Sequence, residues 1–183
     1  NAENIINILE QNNFDKEIDL FSLDIDGIDY WILEKLPQNF SKICVMEYNS
    51  IFGDELEITV PNEINFTRKA YHFSHLCYGM SLKLLIRKMN EKGFIFVGSN
   101  ELNNNAFFIQ KKYENNLNIN LPDTNNLKKF TISNIRESRD KNGILNYLRK
   151  ENRWKAIENC EVIDLSNSKK ERIKIKDLLN KKN

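Results

Sequence analysis

Two short apolar runs each close on oxygen-bearing side chains. The run Ile18-Asp19-Leu20-Phe21-Ser22-Leu23-Asp24-Ile25-Asp26-Gly27 ends in Asp24 and Asp26, and Lys42-Ile43-Cys44-Val45-Met46-Glu47-Tyr48-Asn49 ends in Glu47 and Asn49. Hard cations such as Mg²⁺ take carboxylate and amide oxygens, so Asp24, Asp26, Glu47 and Asn49 form a candidate metal set. Without a metal, Asp26 or Glu47 has the chemistry of a general base. The plainer alternative is that Asp26-Gly27 is a turn capping the next helix and that Glu47 makes a structural ion pair. His72 and His75 lie three apart with Cys77 nearby. A transition-metal site there lacks a fourth ligand close in sequence. Service as a general base from a loop, or an ordinary packed or surface role, is left open for both histidines. Phe66, Tyr71, Phe73 and Tyr78 either line a ligand pocket or pack their own loop.

The elements that must position these groups follow from apolar spacing. Ile5, Ile6 and Leu9 predict a short helix, and Ile18 onward predicts a buried strand running into a loop. Ile28, Trp31 and Ile32 mark a helix closed by Pro37, with Trp31 in the core, and residues 42–49 predict a second strand. Strand, helix, strand in that order implies a parallel crossover. In open α/β sheets ligands bind beyond the carboxyl ends of the strands, which puts Asp24, Asp26, Glu47 and Asn49 on one rim. Residues 50–77 form a connection long enough to suggest a functional loop. Leu82, Leu85, Ile86 and Met89 predict a helix stopped by Gly93. Residues 94–97 and 106–109 predict an antiparallel pair. Beyond them we expect a strand over Phe130 to Ile135, helices around Ile144–Leu148 and Trp154–Ile157, a strand over Glu161–Leu165, and a frayed Lys-rich end. The expected division is an α/β half-domain over 1–113, a linker over 114–127, a small α+β extension over 128–167 and a tail over 168–183.

Composition excludes some classes of function. The chain has 183 residues with 27 Lys+Arg against 26 Asp+Glu, which gives no global electrostatic footprint for nucleic acid. Arg136, Arg139, Arg149 and Arg153 add only a local basic character, read as a solvated surface or as a contact for an anionic glycan or partner. No apolar run approaches the roughly 20 residues a membrane span needs. Three widely spaced cysteines, Cys44, Cys77 and Cys160, argue against a disulfide framework and for a reducing cytoplasm.

The order of motifs carries a resemblance. The run Ile18 to Gly27 with Asp29-Tyr30-Trp31, followed by Val45-Met46-Glu47-Tyr48-Asn49, resembles the fourth and fifth strands of FkbM-like S-adenosylmethionine-dependent methyltransferases. Gly79-Met80-Ser81-Leu82, Gly93-Phe94 through Gly98-Ser99-Asn100, and Asn105-Ala106-Phe107-Phe108 are similar to the stretches that follow in that family. The resemblance covers about residues 2–112 and implies a partial Rossmann-like sheet whose parallel strands end in an antiparallel hairpin. The family's glycine-rich loop and the acid after its second strand have no counterpart here. What it implies is therefore the carboxyl-terminal portion of an O-methyltransferase acting on a hydroxyl of a sugar or polar metabolite. S-adenosylmethionine would be held by segments upstream of Asn1, with Mg²⁺ or another divalent cation as an optional assistant. Asp26, Glu47, His72 and His75 become catalytic candidates, and Tyr30, Tyr48, Asn49 and Tyr71 become substrate contacts. Implied partners are a small-molecule or glycan acceptor and either a second copy or the upstream half, because the first strand would lie at an open edge. Two rival readings are a scaffold that keeps the half-sheet without cofactor, and a metal-dependent glycosyltransferase resembled through Asp24-Ile25-Asp26 alone.

Overall fold

The computed structural model describes residues 2–14, 18–134 and 137–182. Helix α1 (Ile5–Gln11) leads to β1 (Ile18–Leu23), α2 (Asp29–Lys35) and β2 (Ser41–Glu47). β1 and β2 pair in parallel with Leu23 opposite Met46, so both strands run out at one rim. A two-residue strand β3 (Ile58–Thr59) and the short helix α3 (Arg68–Tyr71) interrupt the long loop. Helix α4 (Leu82–Glu91) then precedes the hairpin β4 (Phe94–Ser99) and β5 (Asn105–Gln110), and β5 inserts antiparallel between β4 and β2. The result is a four-stranded mixed sheet in the order β1-β2-β5-β4. Gly93, at φ 87°, ends α4 in the left-handed region that glycine enters without steric cost.

The apolar positions that define these elements fill one core. Leu33 of α2, Cys44 and Met46 of β2, Leu82, Leu85 and Met89 of α4, and Phe94 and Phe108 of the hairpin are almost fully buried together. Each such Leu or Phe contributes about 1.5–3 kcal/mol relative to exposure. β1 departs from the buried strand expected: Leu20 is 58% exposed, because β1 is the sheet's edge and no described strand covers its far side.

The carboxyl-terminal third builds a second layer. α5 (Glu151–Ile157) precedes β6 (Glu161–Asp164), β7 (Glu171–Lys174) and α6 (Ile175–Lys182). β6 lies between β3 and β7 in a three-stranded antiparallel sheet, so part of the long loop and the end of the chain share one structure. Its core joins Phe52, Ile58 and Val60 to Ile157, Val162, Ile175 and Leu178. The Lys-rich end is therefore not frayed: Ile175 and Leu178 anchor it. No strand forms over the described part of Phe130 to Ile135, of which Ile135 lies outside the described residues. A 3₁₀ turn at Lys128–Phe130 packs the Phe130 ring against Phe96 instead. The expected helix around Ile144–Leu148 is absent too. Asp140 Oδ1 accepts from the backbone N–H groups of Asn142 and Ile144, and Arg139 bridges Leu145, closing a tight turn that competes with helix. Among the described residues no helix is long and apolar enough to cross a membrane.

Candidate functional site

The parallel register sets the site. Because Leu23 and Met46 are partners, the residues that follow each strand meet at the rim, and one ligand atom from each of Asp24, Asp26 and Glu47 lies within 4.8 Å of the others. The loop between β1 and α2 is clamped by a residue whose role the sequence did not reveal. Asp29, fully buried at the start of α2, accepts from Ile25 N at 3.1 Å and from Gly27 N at 3.0 Å. Asp26 sits between them at φ 55°, and its own N–H donates to Glu47 Oε2 at 3.1 Å. Gly27 is required by close approach, since a Cβ there would stand 2.8 Å from the Phe66 ring.

Electrostatics separate the acids. Burial, reinforced by Asp29, Asp24 and Asp26, pushes the Glu47 carboxyl up to about 9, so it holds its proton at neutral pH. Burial likewise raises Asp29 to about 6, against the backbone N–H groups of Gly27, Ile25 and Asp29 itself, which favour its anion. Asp26 is instead ion-paired with Arg68 of α3 at 3.0 Å, while Arg68 also reaches Glu137 at 3.6 Å and lies over the Tyr78 ring. Three oxygen donors of this type fit a divalent cation.

The cluster opens into a cavity of about 870 Å³. Tyr78, Asn104, Ser133, Glu137, Arg149, Lys150 and Arg153 also line it, so the extension forms part of the wall. Arg136 lies outside the described residues. Arg68 and Lys150 carry no motif that singles them out in sequence, and Asp29, though part of the Asp29-Tyr30-Trp31 motif, is given no role in the site by it.

Several expected residues serve the fold instead. Asn49, placed in the metal set and among the substrate contacts, is wholly buried. Its Nδ2 donates to the carbonyls of Leu76 and Tyr78, and its Oδ1 accepts from Ile51 N, which commits the amide to holding the loop. Tyr30 donates to Glu34 from within the core, Tyr48 donates to the Phe130 carbonyl, and Tyr71 donates to the Glu161 carbonyl of β6. None of the four lines the cavity. Neither histidine lines it either. His75 Nδ1 stands 3.7 Å from Glu137, beyond a hydrogen bond, and burial with nearby Arg139 lowers its pKa.

His72 belongs to a different cluster. Its Nδ1 pairs with Ser74 Oγ at 2.7 Å, and its ring lies against Cys160. Cys160 and Cys77 are both buried in the second core, where each thiol shifts the other's titration. Cys77, aided by His72, pulls the Cys160 thiol down to about 6 despite its burial, and Cys77 itself moves up. All three cysteines are free thiols.

Compared with family models, curated proteins and solved structures, the chain gives no match.

Proposed function

We propose that this chain supplies the acceptor side of an S-adenosylmethionine-dependent O-methyltransferase, acting on a hydroxyl of a polar metabolite or sugar in a reducing, cytoplasmic setting. The observation that carries the reading is the convergence of Asp24, Asp26 and Glu47 at the tips of two parallel strands, facing a cavity of about 870 Å³ whose wall mixes charged side chains with Tyr78, Leu102 and Ile132. The sheet supports it as well, with a parallel pair followed by an antiparallel hairpin and an uncovered β1 edge. The residues present do not fit the cofactor itself, since no described strand runs into a glycine-rich turn that would admit its backbone-hugging contacts. The chain's own chemistry is therefore confined to the acceptor.

There the two kinds of carboxyl do different work. Asp26, fixed by Arg68 and by the Asp29-clamped loop, takes the proton from the acceptor hydroxyl. Glu47 holds its proton near neutral pH and donates a hydrogen bond to an acceptor oxygen. A divalent cation bound by Asp24, Asp26 and Glu47 would supply Lewis-acid polarisation of that hydroxyl. The test is transfer of labelled methyl from S-adenosylmethionine to polyol acceptors by the natural full-length protein, with Asp26→Asn as control. Turnover lost in the variant supports the reading, and no turnover or cofactor binding in the full-length protein favours the scaffold. A second reading, a metal-dependent glycosyltransferase, is favoured by one observation: cationic side chains share the cavity with Asp24 and Asp26 as a diphosphate would require.

A further inference from the structure

Both faces of the four-stranded sheet are apolar, and one of them lies open. Cys44, Met46, Phe94 and Phe108 point into the main core. The alternate residues form rows across the opposite face. Leu20 pairs with Ile43, Ile43 with Ile109 and Ile109 with Ile95, an aliphatic row that crosses all four strands. The next row runs from Ser22 through Val45 and Phe107 to Gly98, so neither row holds a charge. Leu20, Ile43 and Phe107 are 58%, 45% and 37% exposed, and Val45, Ile95 and Ile109 are half-buried. A sheet face that meets water carries polar side chains, and an exposed apolar one of this extent marks a contact surface. Charge at the strand ends says what fits it. Asp24 follows β1 and Glu101 lies between β4 and β5, so exposed carboxylates stand at one end of the face. Lys111 and Lys112 follow β5 at the other end, where Asp19 is already neutralised by Lys42 at 2.6 Å. A face with opposite charges at its two ends is complementary to itself when one copy is turned end for end.

We propose that this face docks a second copy of the chain, sheet on sheet about a two-fold axis that crosses the strands, with the carboxylate end of each face over the lysine end of the other. Four strands about 4.8 Å apart and about 20 Å long offer roughly 400 Å². That is about half of the ~800 Å² each partner gives to a standard stable interface, so the dimer is a weak one that forms as concentration rises. Methyl transfer plays no part in the inference, because the apolar rows hold none of the rim acids.

Sedimentation of the 183-residue chain from about 1 μM to about 1 mM, the range of weak association, tests it. The expected result is a monomer–dimer equilibrium. Ile43→Lys/Phe107→Lys places two charges on the face and should raise the dimer dissociation constant about tenfold or more. Ile43→Thr/Phe107→Thr keeps residues that suit a strand and should act in the same direction, which covers the case of a lysine pair that fails to fold. Zero-length carbodiimide coupling of mixed isotope-labelled and unlabelled chains should join Asp24 or Glu101 of one copy to Lys111 of another. A monomer throughout the concentration range overturns the proposal. So does a dimer unchanged by the threonine pair, as pairing at the β1 edge would give, or coupling of these residues only within one copy.

Discussion

The chain holds two buried clusters of ionisable side chains, and burial has opposite outcomes in them. At the rim of the four-stranded sheet, Glu47 and Asp29 are surrounded by further carboxylates, and both are pushed toward their neutral forms. In the second core, Cys160 has the Cys77 thiol and the His72 imidazole as neighbours, and it moves toward the anion. Desolvation opposes charge in both places. What differs is the neighbour, since like charges add to the penalty whereas hydrogen-bond donors outweigh it. The same burial therefore leaves a protonated carboxyl at the rim and favours a thiolate in the second core.

The largest effect should come from removing the rim acid that faces solvent. On the proposed methyl-transfer reading, Asp26→Asn is expected to lower turnover about 100-fold or more, the usual scale for a general base. Asp26 is half exposed, so the melting temperature should hardly change. Parallel losses of activity and stability would reduce Asp26 to a structural turn residue.

Cation binding comes next. Mg²⁺ or Mn²⁺ at about 100 times its dissociation constant should add about 2.7 kcal/mol of stability, seen as a raised melting temperature. At one fixed cation concentration the gain should be larger at pH 9 than at pH 6, because the cation competes with the Glu47 proton. A response equal in wild type and Asp24→Asn/Asp26→Asn would remove the rim as its site.

The pH dependence of stability separates the clusters by sign. Glu47 has a folded value near 9 against an ordinary 4.5, so between those limits the folded state holds more protons than the unfolded state, and stability falls as pH rises. Glu47→Gln removes that cost and should stabilise the protein by roughly 1–3 kcal/mol at pH 8. Cys160 has a folded value near 6 against an ordinary 9, so in that window the unfolded state holds the extra proton and stability rises with pH. Cys160→Ser should cost roughly 1–2 kcal/mol at pH 8 and little at pH 5. Denaturant titrations of the wild type and both variants should show the two slopes opposing each other between pH 6 and 9 in the wild type, with Glu47→Gln leaving the rise and Cys160→Ser leaving the fall; slopes of the same sign in the two variants would collapse the contrast.

The smallest effect is expected at Arg68. Arg68→Gln breaks a partly exposed ion pair with Asp26, worth about 0.5–1 kcal/mol in thermal melts.

The four-stranded sheet was legible because its signals are local. Apolar runs of strand length, the helical spacing of Leu82, Leu85, Ile86 and Met89, and Gly93 each act within a few residues and agree with one another. Convergence of Asp24, Asp26 and Glu47 was legible for the same reason, since parallel strands joined by one helix must end on the same side. Of the second sheet only β6 was, as the expected strand over Glu161–Leu165. β3 has two residues and finds its partner β6 more than a hundred positions later, and the charged β7 has no apolar alternation to announce it. The turn at Asp140 defeated a helical spacing because one carboxylate caps two backbone N–H groups.

What the sequence by itself determined is the mixed α/β sheet and the placing of an acidic rim, because both follow from periodicity and the geometry of a parallel crossover. Tertiary structure alone decided which polar groups are spent on the fold. Asn49, Tyr30, Tyr48 and Tyr71 carry the same donors whether they hold a loop or meet a ligand, and only their partners across the chain assign them to the former. It also decided that Glu47 keeps its proton, that Arg68 reaches Asp26, and that Arg149, Lys150 and Arg153 close the cavity. Burial and charge proximity arise between residues distant in sequence, and no local pattern encodes them.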